Sequence, residues 1–326
     1  MRALLVVAFL AGCEDGMAVA PDAPGPPADA APPAPGSWRT LMPLPAPRQE
    51  HAVAAIGTRV YVLGGIDGDG QTVGTVSVLD TTTGQWGTAA SLPAMHHINA
   101  AVVDGKIYVV GALLSTFEAL GTTRVYDPVA NEWMQLGAMP SGRGASAVGV
   151  IGGLIYVAGG LRGGAVTTAS TYDTANARWE DLPPLPEARD HLVGATVDGV
   201  FYVVGGRVAT LGSNRADVWA FDATGRIWVP KSPMPTARGG AAAGVVGGRI
   251  VVCGGEHTGG VFDQCEAYDP AMDRWSTLAP MPHPRHGMGA AGIGNELIIP
   301  GGAPFQGFGA AATVDALTVV PPGAAR

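Results

Sequence analysis

Tryptophan recurs at a nearly constant interval through most of this 326-residue chain. Six tryptophans follow one another 46 to 49 residues apart: Trp38, Trp86, Trp133, Trp179, Trp228 and Trp275. Glycine doublets keep the same period, at Gly64-Gly65, Gly159-Gly160, Gly205-Gly206, Gly254-Gly255 and Gly301-Gly302, and Gly111-Ala112 stands in the remaining place. Because two independent markers share one period, the chain is built from a structural repeat of about 47 residues.

Each repeat contains four short segments with strand-like patterning. In the first repeat, an alternating apolar segment at Ala52 to Ile56 is followed by the apolar run that ends at Gly64-Gly65. A third segment ends in a tyrosine–aspartate element such as Tyr126-Asp127, and the tryptophan segment comes last. The high glycine count of 49 suits many tight turns. Four short strands per unit are the content of one β-propeller blade.

The glycine doublet, the Tyr126-Asp127-Pro128 element and the later tryptophan resemble the Kelch family. The resemblance extends from Ser37 to about Val320, and it implies a β-propeller. Kelch propellers include both binding modules and enzymes, so the fold alone does not assign a function. Glycines allow close backbone approach, and the large aromatic side chains are suited to filling the space between blades.

The two ends of the repeat region complement each other. Trp38 to Pro45 has the pattern of a fourth strand with no first three strands before it, whereas the last unit, Pro284 to Val320, has only three strands. The sequence therefore predicts an all-β, six-bladed Kelch β-propeller with four-stranded blades, in which the N-terminal strand closes the last blade. This closure would leave no exposed sheet edge at the chain ends.

The N-terminus has the pattern of an export signal. Residues 1–12 combine Arg2 with an apolar stretch, and Leu10-Ala11-Gly12-Cys13 resembles the lipobox of bacterial lipoproteins. The resemblance implies lipidation of Cys13; the alternative is an ordinary cleaved signal peptide in which Cys13 is incidental. Residues 13–36 form an alanine- and proline-rich tether, and residues 37–326 form the propeller. We therefore expect an exported protein in the cell envelope, attached by its lipid to the periplasmic or extracellular face of a membrane.

The net charge of −8 disfavours nucleic acid as a partner, because the phosphate backbone requires a basic surface. The same charge disfavours adsorption to an anionic membrane, so that the lipid is the only expected membrane contact. Beyond the signal peptide, no stretch approaches the roughly 20 apolar residues of a spanning helix. We expect a monomer.

The search for catalytic groups yields few candidates. The copper site of galactose oxidase, a Kelch-fold enzyme, needs tyrosines, but all seven tyrosines here occupy repeat positions. The seven histidines, including the doublet His96-His97, show no metal-binding spacing. They are interpreted as surface residues, and the alternative is a metal site built from histidines of different blades. No metal or cofactor is therefore predicted. Cys253 and Cys265 fall on neighbouring strands of one blade, where they could form a disulfide or remain two buried thiols.

One position of the repeat is occupied by arginine in five of six blades. Counting 13 residues back from equivalent strand positions gives Arg48, Met95, Arg143, Arg189, Arg238 and Arg285. This ring position precedes the first strand, which lines a propeller's channel, so the arginines are predicted to surround one mouth. Arg162 and Arg207, in loops after glycine doublets, could add to the same face. In one interpretation the ring binds an anionic ligand; in the other, the arginines hydrogen-bond loop carbonyls.

Binding is favoured over catalysis. The first hypothesis is a cell-envelope interaction module that presents the arginine-lined face to an envelope protein, a peptide or an anionic glycan. The alternative is a carbohydrate-active enzyme such as a sialic-acid-type mutarotase, by resemblance to the Kelch-fold member with that activity. Its acid–base candidates would be Glu50, Glu187, His191 and Glu256, beside Arg189 or Arg238. A third hypothesis, a purely architectural spacer, would need no polar ring.

Overall fold

The computed structural model describes residues 36–320. The predicted signal peptide, the predicted lipidation site Cys13 and the predicted tether up to residue 35 lie outside the described residues, as do residues 321–326. Within the described part of the chain, no helix is both long enough and apolar enough to cross a membrane. The only helix there is a single 3-10 turn, Leu211–Ser213.

Six antiparallel sheets follow one another along the chain, and we number them as blades 1 to 6. Blade 1 contains Ala52–Ile56, Arg59–Asp67, Thr72–Asp80 and Gln85–Ala89, with Arg48–Gln49 added at one end. Blade 2 contains Ala100–Val103, Lys106–Leu113, Ala119–Asp127 and Glu132–Gln135, and blade 3 contains Ala147–Ile151, Leu154–Ala158, Ala169–Asp173 and Arg178–Leu182. Blade 4 contains Val193–Val197, Val200–Val204, Val218–Asp222 and Ile227–Lys231. Blade 5 contains Ala242–Val246, Arg249–Cys253, Cys265–Asp269 and Arg274–Thr277, with a small hairpin, Glu256–His257 and Gly260–Val261. Blade 6 contains Ala291–Ile293, Glu296–Pro300, Val314–Thr318 and Ser37–Thr40.

The N-terminal strand closes the ring as the sequence predicts. Ser37–Thr40 pairs antiparallel with Val314–Thr318, with Trp38 opposite Leu317. The first strands of neighbouring blades contact one another in a closed cycle, blade 6 against blade 1 included. These six strands therefore surround the central axis. The prediction of a six-bladed, four-stranded propeller is confirmed.

The hydrophobic core is divided among the gaps between blades. Each of the six gaps in the described propeller contains its own cluster of buried residues. Between blades 4 and 5, for example, Tyr202 and Tyr268 lie edge to face with their ring centroids 5.8 Å apart. Since every blade buries its two faces against two neighbours, stability depends on the complete ring.

The repeated tryptophans join each blade to the blade before it. Their indole N–H groups donate to backbone carbonyls of the preceding blade, in the pairs Trp38–Ala279, Trp86–Met42, Trp133–Ala90, Trp179–Gly137, Trp228–Pro183 and Trp275–Ser232. Trp38 follows this rule although it lies in the first strand of the chain, because that strand, Ser37–Thr40, belongs to the last blade. The even spacing of the tryptophans thus reflects one hydrogen bond between neighbouring blades, which occurs six times around the ring.

The glycine doublets lie where the next blade approaches most closely. Gly205 has a φ of 63°, and a Cβ added to it would lie only 2.7 Å from the carbonyl oxygen of Arg238. Both the left-handed backbone and the lack of space require glycine here.

Blade 5 carries the only disulfide within residues 36–320. Cys253 and Cys265 are directly opposite each other on neighbouring strands, with their Cα atoms 4.1 Å apart. Of the two alternatives that the sequence left open, the structure has the oxidised pair.

Candidate functional site

The five ring arginines lie inside the blades. Their exposure is 4% or less, and Met95, at the sixth position, is equally buried. Each arginine donates a hydrogen bond to a backbone carbonyl near the glycine doublet of its own blade, in the pairs Arg48–Gly64, Arg143–Val157, Arg189–Gly205, Arg238–Gly254 and Arg285–Gly301. The tight doublet turn leaves carbonyls without strand partners, and a guanidinium supplies several donors at once.

Three of these arginines also form ion pairs within the blades. Arg285 lies 2.8 Å from Asp315, whose side chain is fully buried, and Arg238 pairs with Glu266. Arg189 contacts Glu187 and Asp217, both at 2.9 Å. The prediction that Arg48, Arg143, Arg189, Arg238 and Arg285 line a ligand-binding mouth is therefore corrected. Their side chains are already used by the fold, as the carbonyl-bonding interpretation expects.

The residues two places after the ring position form a backbone ring around the axis. They are Glu50, His97, Ala145, His191, Gly240 and Gly287, and all have φ between 50° and 67°. Five of the six amides, all but that of His191, donate to the carbonyl of the counterpart in the preceding blade, at 2.6–3.1 Å. Three of the six are alanine or glycine, whereas Glu50, His97 and His191 place functional side chains on this ring.

The two histidines of this ring meet near the axis. His97 Nε2 lies 3.1 Å from His191 Nε2 and 3.3 Å from Glu50 Oε2. On its other side, His97 Nδ1 lies 2.5 Å from His96 Nδ1. His191 Nδ1 lies 2.5 Å from Asp190 Oδ1. Each histidine of the pair therefore has a partner at Nδ1 and directs its Nε2 at the other histidine.

A chain of charged groups continues across blades 4 to 6. Arg207 lies 3.0 Å from Asp190 Oδ1, 3.1 Å from His191 Nε2 and 2.6 Å from Glu256 Oε1. The other carboxylate oxygen of Glu256 lies 3.2 Å from His286 Nε2, which is 3.9 Å from Glu50. We call Glu50, His96, His97, Asp190, His191, Arg207, Glu256 and His286 the polar layer.

The polar layer perturbs the protonation of its own members. Burial raises the pKa of Glu50, but the positive charges that His97, His191, His286 and Arg207 can bring outweigh it and lower the pKa. Burial lowers the pKa of His97 more than Glu50 raises it. Burial raises the pKa of Asp190, yet its hydrogen bond and attraction to His191 and the contact with Arg207 lower it overall. Near neutral pH, Glu50 and Asp190 are therefore ionised while His97 is neutral.

Two cavities meet at the polar layer. A channel cavity of about 270 Å³ lies among the first strands, and a mouth pocket of about 280 Å³ is bordered by the loops. Glu50, His97 and His191 line both. The mouth pocket is rimmed by Phe117 and Phe308, which are 42% and 63% exposed with ring centroids 6.4 Å apart. An aromatic rim above a polar base is typical of a small-ligand site.

The loop that carries Phe308 is tied to this base. The amide of Gly307 donates to Glu256 at 3.3 Å, and its carbonyl accepts from the Gln49 side chain at 3.2 Å. The amide of Gly309 donates to the same Gln49 side chain at 2.5 Å. The rim therefore has fixed contacts to the polar layer.

The sequence-predicted residues are distributed unevenly around this site. Of the seven arginines, only Arg207 lines the mouth pocket; Arg162 is exposed and borders a separate depression between blades 2 and 3. Of the acid–base candidates, Glu50, His191 and Glu256 line the pocket, whereas Glu187 pairs with Arg189 and Arg215 outside it.

The interpretation of the histidines as surface residues is wrong for most of them. Five are buried, at 7% exposure or less: His51, His96, His97, His191 and His286. The ring-position count could have found four of these, because His96, His97, His191 and His286 follow it by one or two residues. The histidines of the polar layer thus lie in the same loops as the arginines, one or two residues after the ring position.

The fold and this pocket define a six-bladed β-propeller with a ligand-sized site on its axis. The chain belongs to the Kelch-repeat family: the model of the KLHDC2/KLHL20/DRC7 Kelch-repeats domain matches residues 36–160 and 137–302. It is 38% identical over 270 residues to the Kelch-like protein terF of Aspergillus terreus, a match covering 74% of this chain and 59% of that relative's length. The solved structure titled "Structure of YjhT" has a similar fold, with a TM-score of 0.74 and 19% identity over 87% of this chain and 98% of that one.

Proposed function

We propose that this protein is an interaction module of the cell envelope whose partner inserts a side chain or sugar residue into the mouth pocket. Kelch propellers commonly bind proteins, which supports the general role. The observation that carries the proposal is the 280 Å³ pocket with Phe117 and Phe308 at its rim and the polar layer at its base. Aromatic faces provide apolar contact area, and the base provides hydrogen-bonding groups that orient a ligand.

The charge of the base favours a neutral or cationic group over an anionic one. Three carboxylates, Glu50, Asp190 and Glu256, surround a single guanidinium, Arg207, which contacts two of them. An anion entering here would meet net negative potential. We therefore rank a peptide with a basic or amide side chain ahead of the anionic glycan that the arginine ring favoured.

Paired variants on one loop test the pocket. The wild-type protein would be screened on a peptide and glycan array, and the best ligand titrated by calorimetry. Phe308→Ala should weaken that ligand by about 5- to 30-fold, since a buried aromatic contact at a binding site contributes about 1–2 kcal/mol. Phe305→Ala is the matched control, because Phe305 is similarly exposed on the same loop, at 55% against 63%, but does not line the pocket. Equal affinities for the two variants would refute the proposed site.

A carbohydrate-active enzyme is the second candidate, favoured by the Asp190–His191 contact at 2.5 Å and the Glu50–His97 contact at 3.3 Å. A carboxylate that orients a histidine is a common general acid–base arrangement. For a sugar-acid mutarotase, added protein should accelerate sialic acid anomerisation in an NMR exchange experiment, and His191→Gln should abolish the acceleration. An unchanged exchange rate with wild-type protein would dismiss this candidate.

The envelope location is part of the proposal and rests on the lipobox-like residues before Cys13. In the native host, we expect the wild-type protein in the membrane fraction and incorporation of labelled palmitate. Cys13→Ser should remove the label and release the protein into the soluble fraction. A labelled Cys13→Ser protein would contradict lipidation at this cysteine.

A further inference from the structure

Three metal-ligating side chains from three different blades converge on the axis. Glu50 comes from the loop before blade 1, His97 from the loop before blade 2 and His191 from the loop before blade 4. One ligand atom from each lies within 4.8 Å of the other two. Because the residues are 47 and 94 positions apart, the convergence comes from ring closure and not from a local turn.

The distances between these atoms suit a tetrahedral ion. In a tetrahedral zinc site with bonds of about 2.0–2.1 Å, neighbouring ligand atoms are separated by about 3.3 Å. The two Nε2 atoms are 3.1 Å apart, and His97 Nε2 is 3.3 Å from Glu50 Oε2. The third separation, between Glu50 and His191, is at most 4.8 Å. Two histidines and one glutamate form a known ligand set for catalytic zinc.

The groups behind the ligands fit the same chemistry. Asp190 accepts from His191 Nδ1, which leaves the lone pair on Nε2. His96 Nδ1 faces His97 Nδ1, so that His97 can likewise present a lone pair on Nε2. These assignments place both lone pairs at the point where the two rings meet. Without a cation between them, one ring must use an N–H to bridge that gap.

The surroundings supply both charge and access. The polar layer contains three carboxylates and one guanidinium, so a divalent cation would neutralise the two unmatched negative charges. The mouth pocket opens onto Glu50, His97 and His191 and would give a bound ion a free coordination position. Burial of both histidines restricts the site to an ion that has lost most of its water.

We propose that Glu50, His97 and His191 bind one divalent transition metal ion of the zinc type at the base of the mouth pocket. Asp190 and His96 orient the two histidines. Arg207 contacts His191 Nε2 and competes with the ion for this lone pair. The proposal is independent of the partner proposed above, since the ion needs only the three side chains.

The test is a titration of metal-free protein with Zn²⁺ by calorimetry. We expect one site per chain, lost or weakened at least 100-fold in His97→Ala and in Glu50→Gln. Asp190→Asn should weaken binding by about 10- to 100-fold. His257→Ala is the control, because His257 lies in the blade 5 hairpin outside the ligand set and should bind as wild type.

Spectroscopy of the wild-type protein tests the site without depending on whether a variant folds. Co²⁺-loaded protein should show the intense visible bands of a four-coordinate ion, and X-ray absorption of the Zn²⁺ form should fit two imidazole ligands. Wild-type protein that binds no Zn²⁺, or binds it with an affinity unchanged by His97→Ala, would overturn the proposal. A six-coordinate spectrum with no imidazole would overturn it as well. Loss of Zn²⁺ binding without loss of the array ligand in His97→Ala would separate this site from the partner site.

Discussion

Two neighbouring positions of the same loop behave in opposite ways. The ring position carries a buried arginine in five of six blades, and each arginine donates to a carbonyl of its own blade. Two residues later, the six blades carry glutamate, histidine, alanine, histidine, glycine and glycine. At the ring position, the arginine supplies hydrogen bonds to backbone carbonyls within its own blade, so the same residue type can recur from blade to blade. At the second position six residues face one axis, and only an asymmetric set can form a single specific site.

The largest expected effect concerns the buried arginines at the ring position. Arg285→Met would leave Asp315 buried without its guanidinium partner, although His283 and Thr40 also contact it. The free energy of unfolding should fall by about 3–5 kcal/mol, as it does when one member of a buried ion pair is removed. Chemical denaturation measures the change. Arg162→Met, at an exposed arginine, should change it by less than about 0.5 kcal/mol; similar losses for the two would undermine the distinction.

A second structural effect concerns the one blade with a covalent link. Replacing Cys253 and Cys265 together by alanine should lower the free energy of unfolding by roughly 3 kcal/mol, the value expected for closure of a short loop. Metal and ligand affinities should stay at wild-type values, because the disulfide lies in the gap between blades 5 and 6. Denaturation of the double variant beside dithiothreitol-treated wild type gives the measurement, and equal stability of oxidised wild type and variant would contradict it.

The proposed metal site is tested by Arg207, which lines the mouth pocket beside His191. Arg207→Met removes a positive charge and a competing hydrogen bond 3.1 Å from His191 Nε2. Zn²⁺ should therefore bind about tenfold more tightly or better, in contrast to the losses expected for ligand variants. Calorimetry under the same conditions tests the sign. Weaker Zn²⁺ binding by Arg207→Met would mean that its hold on Asp190 matters more than its charge.

The smallest expected effect on stability concerns the ion pair between the N-terminal strand and the rest of blade 6. Hydrogen bonds from Arg39 lower the pKa of Glu296, which joins the N-terminal strand to the last blade. A lowered pKa in the folded state adds stability above the unfolded value of about 4.3, and this stability is lost as pH falls through the folded pKa. Between pH 6 and pH 3, wild type should lose no more than about 1 kcal/mol beyond Glu296→Gln, because Arg39 is half exposed. A greater loss in Glu296→Gln than in wild type would reverse the assigned sign.

The fold was predictable because its markers are local and repeated. The repeated tryptophans all make the same hydrogen bond to the preceding blade. The N-terminal strand at Trp38 had no partner nearby in sequence and therefore required one in the last blade. The site was only partly predictable. Glu50, His191, Glu256 and Arg207 were named as candidates, but His97 and His286 were assigned to the surface and Glu187 to the site. These three residues were misplaced because their location depends on the direction of side chains in the loops, and the repeat pattern does not encode that direction.

The sequence by itself determined the period, the number of blades, the closing strand and the place of Cys253 and Cys265 in one blade. These follow from strand patterning and spacing, which act over a few residues at a time. Only the tertiary structure decided that the arginines point into the blades while Glu50, His97 and His191 point to the axis. Those three side chains are brought together by the closed ring, and the left-handed loop backbone turns them inward. A meeting between residues 94 positions apart depends on the shape of the whole ring.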